Sequence, residues 1–145
     1  MKNFRIAIGS DHGGFSLKES LKTALTSESV SFTDFGTHSE ASVDYPPFAK
    51  EVALAVLSGK ADRGILICGT GLGVCYTANR FKGIRAALTP TKEYARLAAA
   101  HNNANVLCLG GRFQTPAEAS EIVKTWLETE YEGGRHDRRI AMMDE

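Results

Sequence analysis

The chain has 145 residues, 43% of them hydrophobic and 23% charged, and its formal net charge is zero. A chain of that size and balance is expected to form one globular domain, 1–145, with a substantial core, and its neutrality excludes a broad electrostatic pull toward nucleic acid or an anionic membrane. No apolar run approaches the roughly 20 residues that span a bilayer, no signal-peptide pattern opens the chain, and Cys68, Cys75 and Cys108 sit in apolar settings that suit reduced thiols, so a cytoplasmic location is expected.

In chain order, Phe4–Ile8 reads as a buried strand, and the turn Gly9-Ser10-Asp11-His12-Gly13-Gly14 follows it. Phe15–Leu25 places Phe15, Leu17, Leu21 and Leu25 near helical period. Val30–Phe35 is a second strand, closed by Gly36, and a polar loop runs to Tyr45-Pro46-Pro47. Phe48–Leu57 reads as a helix stopped by Ser58-Gly59. Gly64–Cys68 is a third strand, Val74–Asn79 a short helix, Ile84–Leu88 a fourth strand and Thr91–Ala100 an Ala-rich helix. Asn105–Leu109 is a fifth strand, Pro116–Leu127 a helix with proline in its first turn, and Tyr131–Glu145 a basic, then helical tail. This alternation predicts an α/β fold with a parallel sheet covered on both faces. Sites in such sheets lie beyond the carboxyl ends of the strands, where strand order reverses. The loops after strands one and three, Ser10–Gly14 and Cys68–Gly73, are the natural pair there.

The most chemically loaded segment is Ile65-Leu66-Ile67-Cys68-Gly69-Thr70-Gly71-Leu72-Gly73. It presents a thiol beside several backbone N–H groups. A thiolate moves a proton, and converging N–H groups hold a negative oxygen. The loop lacks the Lys-Ser/Thr ending of a nucleotide P-loop. A cysteine phosphatase needs arginine six positions on, where Cys68, Cys75 and Cys108 have Val74, Phe81 and Gln114. Cys75 and Cys108 lie inside elements and read as packing residues. Asp11-His12 has a plain reading as a helix cap, and gains weight beside a second active loop. His101 and Asn102 end a helix, where the dipole favours histidine. They precede strand five, opposite the Cys68 loop, so a functional His101 is expected to serve a neighbouring subunit. Arg135 and Arg139, spaced i, i+4, form a fork suited to a phosphate dianion, which Arg112 could join. A nucleic-acid role would want wider basic surface with interleaved aromatics.

Taken together, these blocks resemble the type B ribose-5-phosphate isomerases, the group that also holds allose- and galactose-6-phosphate isomerases. The matching blocks are Gly9-Ser10-Asp11-His12-Gly13-Gly14-Phe15, Asp44-Tyr45-Pro46, Ile67-Cys68-Gly69-Thr70-Gly71, Asn79 with Gly83-Ile84-Arg85-Ala86, His101-Asn102 with Asn105-Val106-Leu107, and Tyr131-Glu132-Gly133-Gly134-Arg135-His136. The resemblance implies a Rossmann-like three-layer α/β/α sandwich around a five-stranded parallel sheet. It also implies a homodimer or homotetramer with sites shared between subunits, and neither metal nor organic cofactor. Some members carry a glutamate base just past the Gly-rich loop. Here Val74 stands at that place and Cys68 is present, so the chain resembles the cysteine-base branch.

The chemistry that this resemblance implies is interconversion of an aldose phosphate and a ketose phosphate, with ribose 5-phosphate and ribulose 5-phosphate as the expected pair. Cys68 is the expected base, and His101, helped by Asp11, the group that opens the sugar ring. Backbone N–H groups from Gly69, Gly71, Gly73 and Val74, with Asn102, are expected to hold the enediolate oxygen, and Thr70 to orient the substrate. His12, Arg112, Arg135 and Arg139 are the expected phosphate grip, and Tyr45 lines the pocket. The alternatives are a six-carbon sugar phosphate, allose or galactose 6-phosphate, and a sugar-phosphate-binding module without catalysis.

Overall fold

The computed structural model describes residues 3–145. Its strands are β1 (Arg5–Ser10), β2 (Ser31–Asp34), β3 (Arg63–Cys68), β4 (Ala86–Leu88) and β5 (Val106–Gly110). The helices are α1 (Phe15–Ser27), α2 (Tyr45–Leu57), α3 (Leu72–Ala78), α4 (Lys92–Asn102), α5 (Pro116–Glu128) and α6 (Arg135–Met143). The strands form one parallel sheet in the order β2-β1-β3-β5-β4. The chain winds outward from β1 to β2, then returns across β1 to β3, so the order reverses between β1 and β3.

Alternation along each central strand splits the core into two layers. Ile6, Ile8, Ile65, Ile67, Leu107 and Leu109 face α1, α4 and α5 through Leu21, Ala99 and Trp126. Ala7, Leu66, Cys68, Val106 and Cys108 face α2 and α3 through Val52, Ala53 and Val74. Five strands between helices on both faces give the α/β sandwich expected from sequence. No helix among the described residues is long and apolar enough to cross a membrane.

Most elements shift by one or two residues from the sequence reading, and three of the differences have a clear local reason. Helix α2 begins at Tyr45, because Pro46 and Pro47 fall in its first turn, where no intrahelical N–H is needed. Strand β4 is confined to Ala86–Leu88 because asparagine side chains take over the backbone at its start. Asn105 Oδ1 accepts from the Arg85 N–H at 2.7 Å, and Asn79 brackets Ala86, accepting its N–H at 2.8 Å and donating to its carbonyl at 2.9 Å. Helix α3 starts at Leu72, as soon as Gly71 has turned the chain at φ +84°.

One ionic cluster ties α1 to the end of β2. The Lys18 side chain is wholly buried, and its Nζ lies 2.6 Å from Asp34 Oδ2. Lys22 Nζ reaches the same oxygen at 2.9 Å, and the Gly36 N–H donates to Asp34 Oδ1 at 2.8 Å. Burial alone would push the Asp34 carboxyl up. The hydrogen bonds from Lys18, Lys22 and Gly36 outweigh it and hold the group down at about 2. A carboxyl depressed on folding stabilises the protein fully above its unfolded value, and the contribution is lost as pH falls through about 2. Asp34→Asn would leave the buried Lys18 ammonium with Glu19 Oε2, 3.1 Å away, as its remaining anionic partner, and is expected to cost about 1–3 kcal/mol. Urea unfolding at pH 7 reads the loss, and the variant should show a flatter decline in stability below pH 4 than the parent.

Candidate active site

The carboxyl ends of β1, β3 and β5 are stitched together by their own backbones. The Asp11 N–H donates to the Ile67 carbonyl at 3.3 Å, the Gly111 N–H to the Cys68 carbonyl at 2.8 Å and the Arg112 N–H to the Gly69 carbonyl at 3.0 Å. The three loops approach so closely that side chains would collide. A β-carbon at Gly14 would stand 2.6 Å from the Ile67 carbonyl oxygen.

Cys68 ends β3 inside this knot and is 5% exposed. Its Sγ accepts the Gly71 N–H at 3.2 Å. Gly71 can aim that amide only because it occupies left-handed backbone space, and a β-carbon there would lie 2.7 Å from Leu88 Cδ1 and 2.9 Å from the Leu109 backbone. Thr70 is exposed, and its Oγ1 accepts the Leu72 N–H at 3.1 Å. Gly73 lies under the Tyr45 ring, Val74 is buried, and the Arg112 guanidinium rests beside Gly69. Asp11 is buried with Oδ1 accepting the Gly14 N–H at 3.1 Å. His12 is held by Val43, whose N–H donates to Nδ1 at 3.1 Å. The structure therefore brings together Asp11, Tyr45, Cys68, Gly69, Thr70, Gly71, Gly73, Val74 and Arg112, with His12 on the adjoining turn. A thiol, an amide aimed at it, a carboxylate and a guanidinium in one place suit proton transfer next to a developing oxyanion.

The remaining predicted residues lie elsewhere in the chain. His101 and Asn102 close α4, which feeds β5 from its amino end, whereas Cys68 pairs with Gly110 at the carboxyl end. The five residues of β5 place about 13 Å of strand between those levels. The tail joins His101: the Glu132 N–H donates to the Ala100 carbonyl at 2.9 Å, and the His136 ring stacks on His101 with centroids 4.5 Å apart. Arg135 and Arg139 are exposed on α6 beside this pair. Arg112 thus sits with Cys68, and not with the two tail arginines within one chain. Asn102 lines a separate cleft with Asn79, Arg85, Met143 and Asp144.

Sequence reasoning assigns no role to Glu132 or His136. Burial holds the His136 imidazole below its ordinary value, reinforced by the neighbouring His101 and by the guanidinium charges of Arg135 and Arg139. The i, i+4 spacing of Glu132 and His136 is the signal that could have found them. The other two cysteines are buried as expected. The Cys75 thiol is held at about 7 by its hydrogen bond with Cys108, against burial, and burial pushes Cys108 well up.

Known proteins match this chain along nearly its whole length. The Ribose/Galactose Isomerase family model matches residues 6–143. Ribose-5-phosphate isomerase B of Escherichia coli K12 is 46% identical over 136 residues, covering 94% of this chain and 91% of that protein. The Thermotoga maritima ribose 5-phosphate isomerase structure superposes with a TM-score of 0.97 at 52% identity, covering 99% of both chains. The Mycoplasma genitalium ribose-5-phosphate isomerase B structure, which holds ribulose 5-phosphate, gives 0.92 at 46% identity, covering 99% of this chain and 95% of that one.

Gly71→Ala tests the turn that aims the amide at Cys68. Forcing alanine into the left-handed region costs about 1–3 kcal/mol, and the β-carbon must displace Leu88. Chemical denaturation should show that loss, and turnover should fall further than stability because the N–H leaves Sγ.

Proposed function

The chain belongs to the ribose/galactose isomerase family and is an isomerase, and we propose that it interconverts ribose 5-phosphate and ribulose 5-phosphate through a cis-enediolate. The observation that carries the reading is the Cys68 sulfur at the strand-order reversal, 3.2 Å from an inward-aimed amide, in a chain with close relatives of that activity.

The reaction begins with ring opening. His101, assisted by Asp11, takes the proton of the C1 hydroxyl and delivers one to the ring oxygen, a task suited to a side chain whose ordinary pKa is about 6.5. The Cys68 thiolate then removes the C2 proton as the C1 carbonyl becomes an enediolate oxygen. The sulfur returns that proton to C1 while the C2 hydroxyl proton passes to the C1 oxygen, leaving the ketose. Backbone N–H groups of the Gly69–Val74 loop, with Asn102, hold the negative oxygen. Losing one such donor typically raises the barrier by about 3–4 kcal/mol. Thr70 orients the sugar, Tyr45 lines the pocket, and His12, Arg112, Arg135 and Arg139 hold the phosphate. Phosphate binding far from the reacting carbons positions C2 against the sulfur.

This division of labour requires two chains. Asp11, Cys68 and Arg112 lie at the carboxyl edge of the sheet, and His101, Arg135 and Arg139 lie with the tail. We assign the working site to a cleft in which one subunit supplies the first group and its partner the second. A two-fold homo-oligomer builds two such clefts. The reaction calls for no metal or organic cofactor, and its phosphorylated substrates belong to the cytoplasm.

Cys68→Ala should abolish turnover of ribose 5-phosphate and leave its affinity nearly unchanged in equilibrium binding. Ordinary turnover by the variant would remove Cys68 as the base. Running the parent beside it on allose 6-phosphate separates the five-carbon reading from the six-carbon one. Absence of turnover on both sugars, with binding retained, would leave a binding module.

A further inference from the structure

Where the tail returns to α4, three metal-ligating side chains converge outside the Cys68 loop. His101 and His136 stack with their rings 15° from parallel. The His101 Nε2 lies 3.6 Å from Glu132 Oε1, and the His136 Nε2 lies 3.8 Å from the same oxygen. One donor atom from each residue falls within 4.8 Å of the others. Both histidine–carboxylate distances are too long for direct hydrogen bonds. They approach the spacing of two ligands on one ion, since bonds of about 2.0–2.1 Å in a tetrahedron set ligands about 3.4 Å apart.

We infer that His101, His136 and Glu132 form a binding site for a divalent transition ion of the zinc class, and that an ion held there inhibits the enzyme by occupying His101. The inhibitory part rests on the ring-opening role assigned to His101 above. Two imidazoles and a carboxylate favour zinc, cobalt or nickel over magnesium or calcium. Three protein ligands leave a fourth position open to water, as in zinc sites that are not purely structural.

The site is part-built, and its three side chains differ in burial. His136 is buried and fixed by α6, while Glu132 is exposed and His101 half-buried. Glu132 closes by a few tenths of an ångström. The stacked rings must fan apart for both Nε2 lone pairs to meet, and His101 is the ring free to swing. That rearrangement, with Arg135 and Arg139 adding positive charge on the same short helix, makes binding reversible and weaker than in a structural zinc site. The ion is therefore an inhibitor that competes with the sugar phosphate, and not a cofactor.

The test is a titration of the full-length, reduced, chelator-stripped enzyme with Co²⁺, followed by visible absorption. The expected result is saturation at a single equivalent per chain with a tetrahedral nitrogen–oxygen spectrum, displaced by Zn²⁺ and unaffected by Mg²⁺. Glu132→Gln and His136→Asn should each weaken cobalt binding by more than about tenfold. The exposed Glu132 variant keeps the test open should the buried His136 variant fail to fold. Zn²⁺ should inhibit the parent competitively with ribose 5-phosphate, and EDTA should restore turnover. Unchanged cobalt affinity in Glu132→Gln, or a thiolate charge-transfer band placing the ion on cysteine, would overturn the site. Cobalt binding that depends on both side chains, with turnover unaffected by Zn²⁺, would keep the ion site and overturn the ring-opening role of His101, so the two failures are separable.

Discussion

The contact on which the site depends is the backbone knot at the carboxyl ends of β1, β3 and β5. Asp11 and Gly111 bond to the last two residues of β3, and Arg112 to the first residue beyond it. Those bonds fix the end of β3 on both sides, so Cys68 has no freedom to retreat when Gly71 presents its amide to the sulfur. Main chain packs against main chain at Gly14, Gly110 and Gly111, and side chains fill the space a β-carbon would need at Gly69 and Gly73, which is why glycine recurs in all three loops. A preorganised donor of this kind needs no reorganisation during proton transfer, the property that makes oxyanion sites effective.

A second constraint arises from strand direction. In a parallel sheet every crossover helix runs back to the amino edge, so a group at the end of α4 lies a full strand away from the loop after β3. His101 and Cys68 stand on separate elements, and one chain keeps them apart. The fold resolves this by bringing the tail to His101: the Glu132 amide bonds to the Ala100 carbonyl, and α6 then presents Arg135 and Arg139 beside the histidine pair. Each chain thus carries the Cys68 group at one edge of its sheet and the His101, Arg135 and Arg139 group at the other, with the length of a strand between them.

Much of this was legible in the residues. Short apolar runs bounded by turn residues located all five strands, and the Gly-rich turns after the first and third located the reversal and its loops. The placement of His101 away from Cys68 followed from chain order alone. Boundaries failed where a side chain substituted for backbone pairing, as Asn79 and Asn105 do at the start of β4, or where prolines opened a helix at Tyr45 that they were expected to precede. The i, i+4 spacing relates Glu132 to His136, but their meeting with His101 was not legible, because it depends on the tail folding back onto Ala100. No hydrophobic period encodes that return. Gly133 and Gly134, both at positive φ, make the bend, and their sequence signal is indistinguishable from that of an ordinary turn.

Complementation between two inactive variants tests the shared cleft most directly. Cys68→Ala and His101→Ala chains, co-expressed in equal amounts and purified together without separating the pairings, should regain about a quarter of parental turnover, since random two-fold pairing makes half the dimers mixed and each mixed dimer has one intact cleft. Mixed oligomers that form and stay inactive would contradict the account.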